Sequence, residues 1–114
     1  MIAIDFDGTI AQYDGWQGVE SVGEPIPGAI AFIKALRELG FELAIFSARA
    51  HPDHGVGGKR AIEQWVDKYG LSNDILFVTH EKLPEFDLII DDRGITFSGD
   101  YREVLKQILK SGRG

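Results

Sequence analysis

Cysteine is absent from all 114 residues, which removes disulfides and thiolate metal ligands and leaves the fold to its hydrophobic core. Long hydrophobic runs are missing too. Stretches such as Leu88-Ile89-Ile90 fall far short of the roughly 20 apolar residues that cross a bilayer, so no membrane contact is expected. No basic segment followed by a long apolar one precedes Asp5, and the expectation is a cytoplasmic protein without a signal peptide. Positive charge is scarce, with 12 Lys and Arg against 18 Asp and Glu and a formal net charge of −6. Such a field repels polyanions, so a phosphate-bearing ligand needs a metal ion or local Arg and Lys.

What is present is ordinary for a globular protein: 44% hydrophobic and 26% charged residues argue against wholesale disorder. The length suits one core and leaves no room for a second. Residues 1–114 are therefore expected to form one domain, without a separate domain covering the substrate.

An apolar run at 1–4 stops abruptly at acidic residues, the pattern of a buried strand whose C-terminal end carries a site. Residues 11–24 are Gly-rich and read as a loop or small hairpin. Pro27 and Gly28 open a helix in which Phe32, Ile33, Leu36 and Leu39 recur at helical spacing before Gly40. Residues 41–46 read as a second strand ending at Ser47-Ala48-Arg49, and 50–58, with Pro52 and three glycines, as a mobile loop. Ile62, Trp65, Val66 and Tyr69 mark one face of a second helix closed by Gly70. Two more short runs, 75–78 and 88–90, read as buried strands, and 101–110 as a terminal helix with Val104, Leu105, Ile108 and Leu109 on one face. This alternation implies an α/β fold, three-layered and Rossmann-like, with a mostly parallel central sheet covered on both faces. Right-handed crossovers then gather Asp5, Ser47 and Asp91 at the edge formed by the strand C-termini, where such sheets bind ligands.

The chemistry starts from Asp5-Phe6-Asp7-Gly8-Thr9. Two carboxylates at i and i+2 past a strand can share a hard cation, one through its side chain and the other through its backbone carbonyl, and Mg2+ prefers such oxygen ligands. A carboxylate held there can attack a phosphoryl group, and the cation offsets the repulsion between the anions. Gly8 and Thr9 suit a tight turn whose amides would point at phosphate oxygens.

At this point the sequence resembles the haloacid dehalogenase-like hydrolase superfamily, from Ile2 to about Phe97. Asp5-Phe6-Asp7-Gly8-Thr9 is similar to its first motif, Ser47 to its second-motif phosphate-binding hydroxyl, Lys82 to its third-motif cation, and Asp91-Asp92 to its acidic fourth motif. The resemblance implies a small capless magnesium-dependent phosphatase. In it Asp5 is the nucleophile and Asp7 the general acid and base. Gly8, Thr9, Ser47, Arg49 and Lys82 hold phosphate, and Asp5, Asp7, Asp91 and Asp92 surround the metal. Ser47-Ala48-Arg49 with Asp91-Asp92-Arg93 also looks like the phosphatase domain of polynucleotide kinase-phosphatases. No kinase P-loop accompanies it, since Gly57-Gly58-Lys59-Arg60 lacks the following Ser or Thr.

Each residue has a plainer reading. Ser47 also suits a backbone cap at a strand end, and Lys59 competes with Lys82, which is favoured for lying just before the strand that leads to Asp91. Adjacent carboxylates at Asp91 and Asp92 repel unless a cation is near, and which of them touches the ion stays open. Arg93 is a candidate to pair with one of them. Arg49 is placed to fork onto a phosphate. His51 and His54 suggest zinc only weakly, and His80 suits the rim of the site. Tyr13 and Trp16 are expected mainly in the core. A non-catalytic magnesium- or phosphate-binding module and a receiver-like phospho-acceptor domain are the alternatives in function. The substrate is open between a phosphorylated small molecule, with a second subunit closing the open site as a homo-oligomer, and a nucleic-acid end or phosphoprotein.

Overall fold

A computed structural model describes residues 1–111. Four parallel strands, β1 (Ile2–Asp5), β2 (Leu43–Phe46), β3 (Ile75–Thr79) and β4 (Leu88–Ile90), form a sheet in the order β3-β2-β1-β4. Helices α1 (Ala29–Glu38), α2 (Gly57–Lys68) and α3 (Tyr101–Lys110) follow β1, β2 and β4 respectively. The result is an α/β fold with a parallel central sheet flanked by helices. Because β1, β2 and β3 advance in one direction across the sheet, right-handed crossovers set α1 and α2 on the same face. There Ile2, Ile4, Leu43 and Ile45 form one hydrophobic cluster with Ala29 and Ile33 of α1 and Ile62, Trp65 and Val66 of α2.

Three expectations change. First, β3 and β4 are the outer strands, and an edge strand lacks a neighbour to shield it; Leu76 and Leu88 are accordingly exposed. Second, α3 buries none of its residues and leaves Leu105 and Leu109 exposed, so the expected cover on the second face is not built from buried helix contacts. Third, the stretch read as a loop at 50–58 is largely structured. Two short 3-10 turns, Ala48–Ala50 and Pro52–His54, fill it, and α2 starts at Gly57. Gly58 is tied to this arrangement by close approach, since a Cβ there would stand 1.9 Å from the Arg49 carbonyl oxygen. Gly58 thus seats α2 against the segment that carries Arg49. No helix among the described residues is long and apolar enough to cross a membrane.

Candidate functional site

β1 and β4 are neighbours with Ile4 paired to Ile90, so Asp5 and Asp91 are the next residues of adjacent strands. Phe6 is fully buried and stands edge-on against Trp65, their centroids 5.0 Å apart. Anchoring Phe6 inward leaves the acids on either side of it to face the opposite way, as alternation along extended chain requires. The chain then turns tightly: the Phe6 carbonyl accepts the amides of Thr9, Ile10 and Ala11, and the Gly8 amide donates to the Ala11 carbonyl at 2.8 Å. The amides of Gly8 and Thr9 are therefore spent on the turn rather than offered to a phosphate. Gly8 has a φ of 78° and a Cβ on it would meet Asp92 Oδ2 at 2.6 Å. Only glycine combines that conformation with so close an approach. The Thr9 hydroxyl is buried without a hydrogen-bond partner.

Asp5, Asp7, Ser47, Arg49 and Asp92 line one open cavity of about 260 Å³, together with Tyr13, Trp16, Ala48 and Arg93. Burial pushes the Asp5 carboxyl up to about 6; the Phe6 amide, donating to Asp5 Oδ1 at 2.9 Å, works against this, while the charges of Asp92, Asp91 and Asp7 add to the rise. Three further carboxylates thus act on Asp5 at close range.

Asp91 and Asp92 divide their work. Asp91 Oδ1 accepts the backbone amides of Arg93 at 3.1 Å and Gly94 at 2.5 Å, which ties it to its own turn. Asp92 lies against Gly8 and on the cavity wall. The Arg93 side chain forms no ion pair with a described residue, so the pairing considered for it is not made. Ser47 is buried, and its Oγ accepts the Arg49 amide at 3.1 Å, capping the first 3-10 turn. The cap uses a lone pair and leaves the hydroxyl proton to donate.

Arg49 occupies a different place from the one its spacing suggested. Only 3% exposed, it forks onto Asp7, with Nε to Oδ2 at 3.1 Å and Nη2 to Oδ1 at 2.9 Å. Its Nη1 donates to the carbonyls of Gly18 at 2.7 Å and Val19 at 2.9 Å, and Trp16 lies over the guanidinium at 5.0 Å. Four of its five N–H groups are thereby used. The sequence gives no sign of this pairing, because the partners are distant in the chain and a Gly-rich loop hides two backbone acceptors.

Trp16 and Tyr13 are not core residues: Trp16 is 54% exposed and both line the cavity. The core position goes instead to Trp65, which pins the first loop by donating to the Gly23 carbonyl at 2.9 Å. Lys82 is exposed in the connection between β3 and β4; it forms no ion pair with a described residue and is not among those lining the cavity. His51 accepts the Asp53 amide at Nδ1 and packs on His80, their centroids 4.7 Å apart. His54 packs on Trp16.

No family model matches the chain, and no curated protein matches it. Among solved structures it is similar to a conserved protein from Bacteroides thetaiotaomicron, at 22% identity over 99% of this chain and 91% of that one, with a TM-score of 0.57. At that identity the likeness speaks for the fold alone.

Among the described residues, no three His, Cys, Asp or Glu side chains form a ready-made chelating group. Mg2+ does not need one, because it keeps several waters and is held by one or two carboxylates. The donors that meet here are oxygens: the carboxylates of Asp5 and Asp92, with a backbone carbonyl at Asp7 as the further candidate.

Proposed function

We propose that the chain is a magnesium-dependent phosphomonoester hydrolase with a haloacid dehalogenase-like, three-layer core and no cap domain, acting through an aspartyl-phosphate on Asp5. The observation that carries this reading is the convergence of Asp5, Asp7 and Asp92, from two distant parts of the chain, on one cavity that Ser47 also lines. Burial first, and then the charges of Asp92, Asp91 and Asp7, raise Asp5, so its ionised form carries a cost. A divalent ion held by Asp5, Asp92 and the Asp7 carbonyl would relieve it and, when bound, neutralise charge on the transferring phosphoryl. Asp92 is the better placed of the two fourth-motif acids, since Asp91 is engaged with the turn.

The residues then divide the reaction. An Asp5 oxygen attacks phosphorus, the bond from phosphorus to the leaving oxygen breaks, and Asp7 passes a proton to that oxygen. Water next attacks the phosphorus of the aspartyl-phosphate and gives its proton to Asp7, which releases inorganic phosphate and restores Asp5. Arg49 orients Asp7 throughout, for each carboxylate oxygen that accepts one guanidinium proton keeps a second lone pair for chemistry. The Ser47 hydroxyl supplies a hydrogen bond to a phosphoryl oxygen.

One observation favours a second reading, a magnesium- and phosphate-binding module without turnover: both oxygens of Asp7 are already held by Arg49. Incubating the purified protein with an aryl phosphate separates the two. Steady release of phosphate in Mg2+, lost in excess chelator, is the expected result. A full panel of phosphate esters left intact, with Mg2+ bound, would select the second reading.

A further inference from the structure

We infer that Arg93 is the side chain that meets the substrate's phosphate in this site. The inference rests on the phosphomonoesterase reading and adds to it the identity of the anion-binding cation. A phosphate ester approaching Asp5 meets three carboxylates along the cavity wall, Asp5, Asp7 and Asp92, and two guanidiniums, those of Arg49 and Arg93. Without a metal ion that wall is net negative, and one divalent ion makes it net positive. How the positive charge is distributed then decides where the anion sits.

Arg49 has little left to give. Two of its nitrogens hold Asp7, a third holds the Gly18 and Val19 carbonyls, and the residue is buried beneath Trp16. Moving it onto a substrate would strip Asp7 of its partner and release the first loop. Lys82 is absent from the wall. Arg93 is on the wall, exposed, and unpaired among the described residues.

The backbone beneath it is fixed. Asp91 accepts the amides of both Arg93 and Gly94, in a turn so tight that a Cβ on Gly94 would meet Asp91 Oδ1 at 2.7 Å. An arginine on a fixed base, with its five donors uncommitted and an acidic metal site beside it, suits bidentate capture of phosphoryl oxygens. This also accounts for the adjacent acids: one builds the turn that carries the arginine, and the other lines the cavity, where it would hold the ion.

Steady-state kinetics with an aryl phosphate in Mg2+, paired with equilibrium binding of inorganic phosphate to the same proteins, tests the inference. Arg93→Ala is expected to raise both KM and the phosphate Kd by about tenfold or more, with Arg93→Lys recovering part of the loss. The effect is expected to exceed that of Lys82→Ala in both assays. Since Arg93 is exposed, thermal melts of its variants should match the wild type. Turnover and phosphate binding that are indifferent to Arg93, or a larger loss in Lys82→Ala, would overturn the inference and leave the hydrolase reading standing. Phosphate binding that weakens in Arg93→Ala in a protein that hydrolyses nothing would support Arg93 and reject the hydrolase.

Discussion

Asp5→Asn is expected to abolish phosphate release, by at least about a thousandfold, while making the metal-free protein more stable. The two halves have one cause. In the native state Asp5 is pushed up from 3.8 to about 6, chiefly by burial and then by Asp92, Asp91 and Asp7, so its ionised form is the costly one. Below about pH 4 the carboxyl is neutral whether the chain is folded or not, and it costs nothing. As pH rises from about 4 the unfolded chain ionises while the native one keeps its proton up to about 6, held there by burial first and its neighbours' charges second, so stability falls across that window and levels off above it. The rise is worth at most about 3 kcal/mol, and solvent on the open side of Asp5 screens it to about 1–2 kcal/mol. Asparagine carries no charge to repel. In chelator at pH 8 the variant is expected to melt about 5–10 °C above the wild type, with the gap closing towards pH 4. Added Mg2+ should raise the wild-type melting temperature and leave the variant nearly unmoved. Equal melting at pH 8 in chelator would mean that Asp5 is not strained by its neighbours, and retained turnover would remove it as nucleophile.

The second large effect belongs to Arg49. Arg49→Ala leaves Asp7 without the fork that holds both of its oxygens, and it frees the carbonyls of Gly18 and Val19. Breaking one side of a buried pair costs about 3–5 kcal/mol, and the partial exposure of Asp7 reduces this to about 2–4 kcal/mol. That is a sizeable part of the roughly 5–15 kcal/mol that keeps a domain folded. Urea unfolding should show the loss as a lower midpoint, and proteolysis should cut the 11–24 loop before the rest. Arg49→Lys keeps the charge and loses the fork; it is expected to recover much of the stability and little of the activity. If Arg49→Lys turned over substrate at the wild-type rate, the orientation of Asp7 by the guanidinium would not matter to the reaction.

Much of the fold could be read from local pattern. The run before Asp5 breaks at a charge, and β1 ends there; Ile33 and Leu36, like Ile62, Trp65 and Val66, recur at helical spacing, and α1 and α2 contain them. The start of α2 escaped because Gly57 and Gly58 are poor helix formers, and at Gly58 glycine answers a tertiary demand, since a Cβ there would stand 1.9 Å from the Arg49 carbonyl oxygen. The exposure of Leu76 and Leu88 escaped because strand order, not strand sequence, decides which strands are edges. At the site, the residues that come together were legible as carboxylates following strands. Their partners were not. Arg49 carries the same letters whether it forks onto a phosphate or onto Asp7, and hydrophobicity alone, which put Trp65 on the core face of α2, also put Trp16 in the core, whereas it lies exposed on the cavity wall.

The proposed hydrolase needs Asp5 and Asp92 to act on one divalent ion, and calorimetric titration of the substrate-free protein with Mg2+ tests that most directly. One site per chain is expected in the wild type, weakened by about tenfold or more in Asp5→Asn and, separately, in Asp92→Asn. Wild-type Mg2+ affinity in both variants would contradict it.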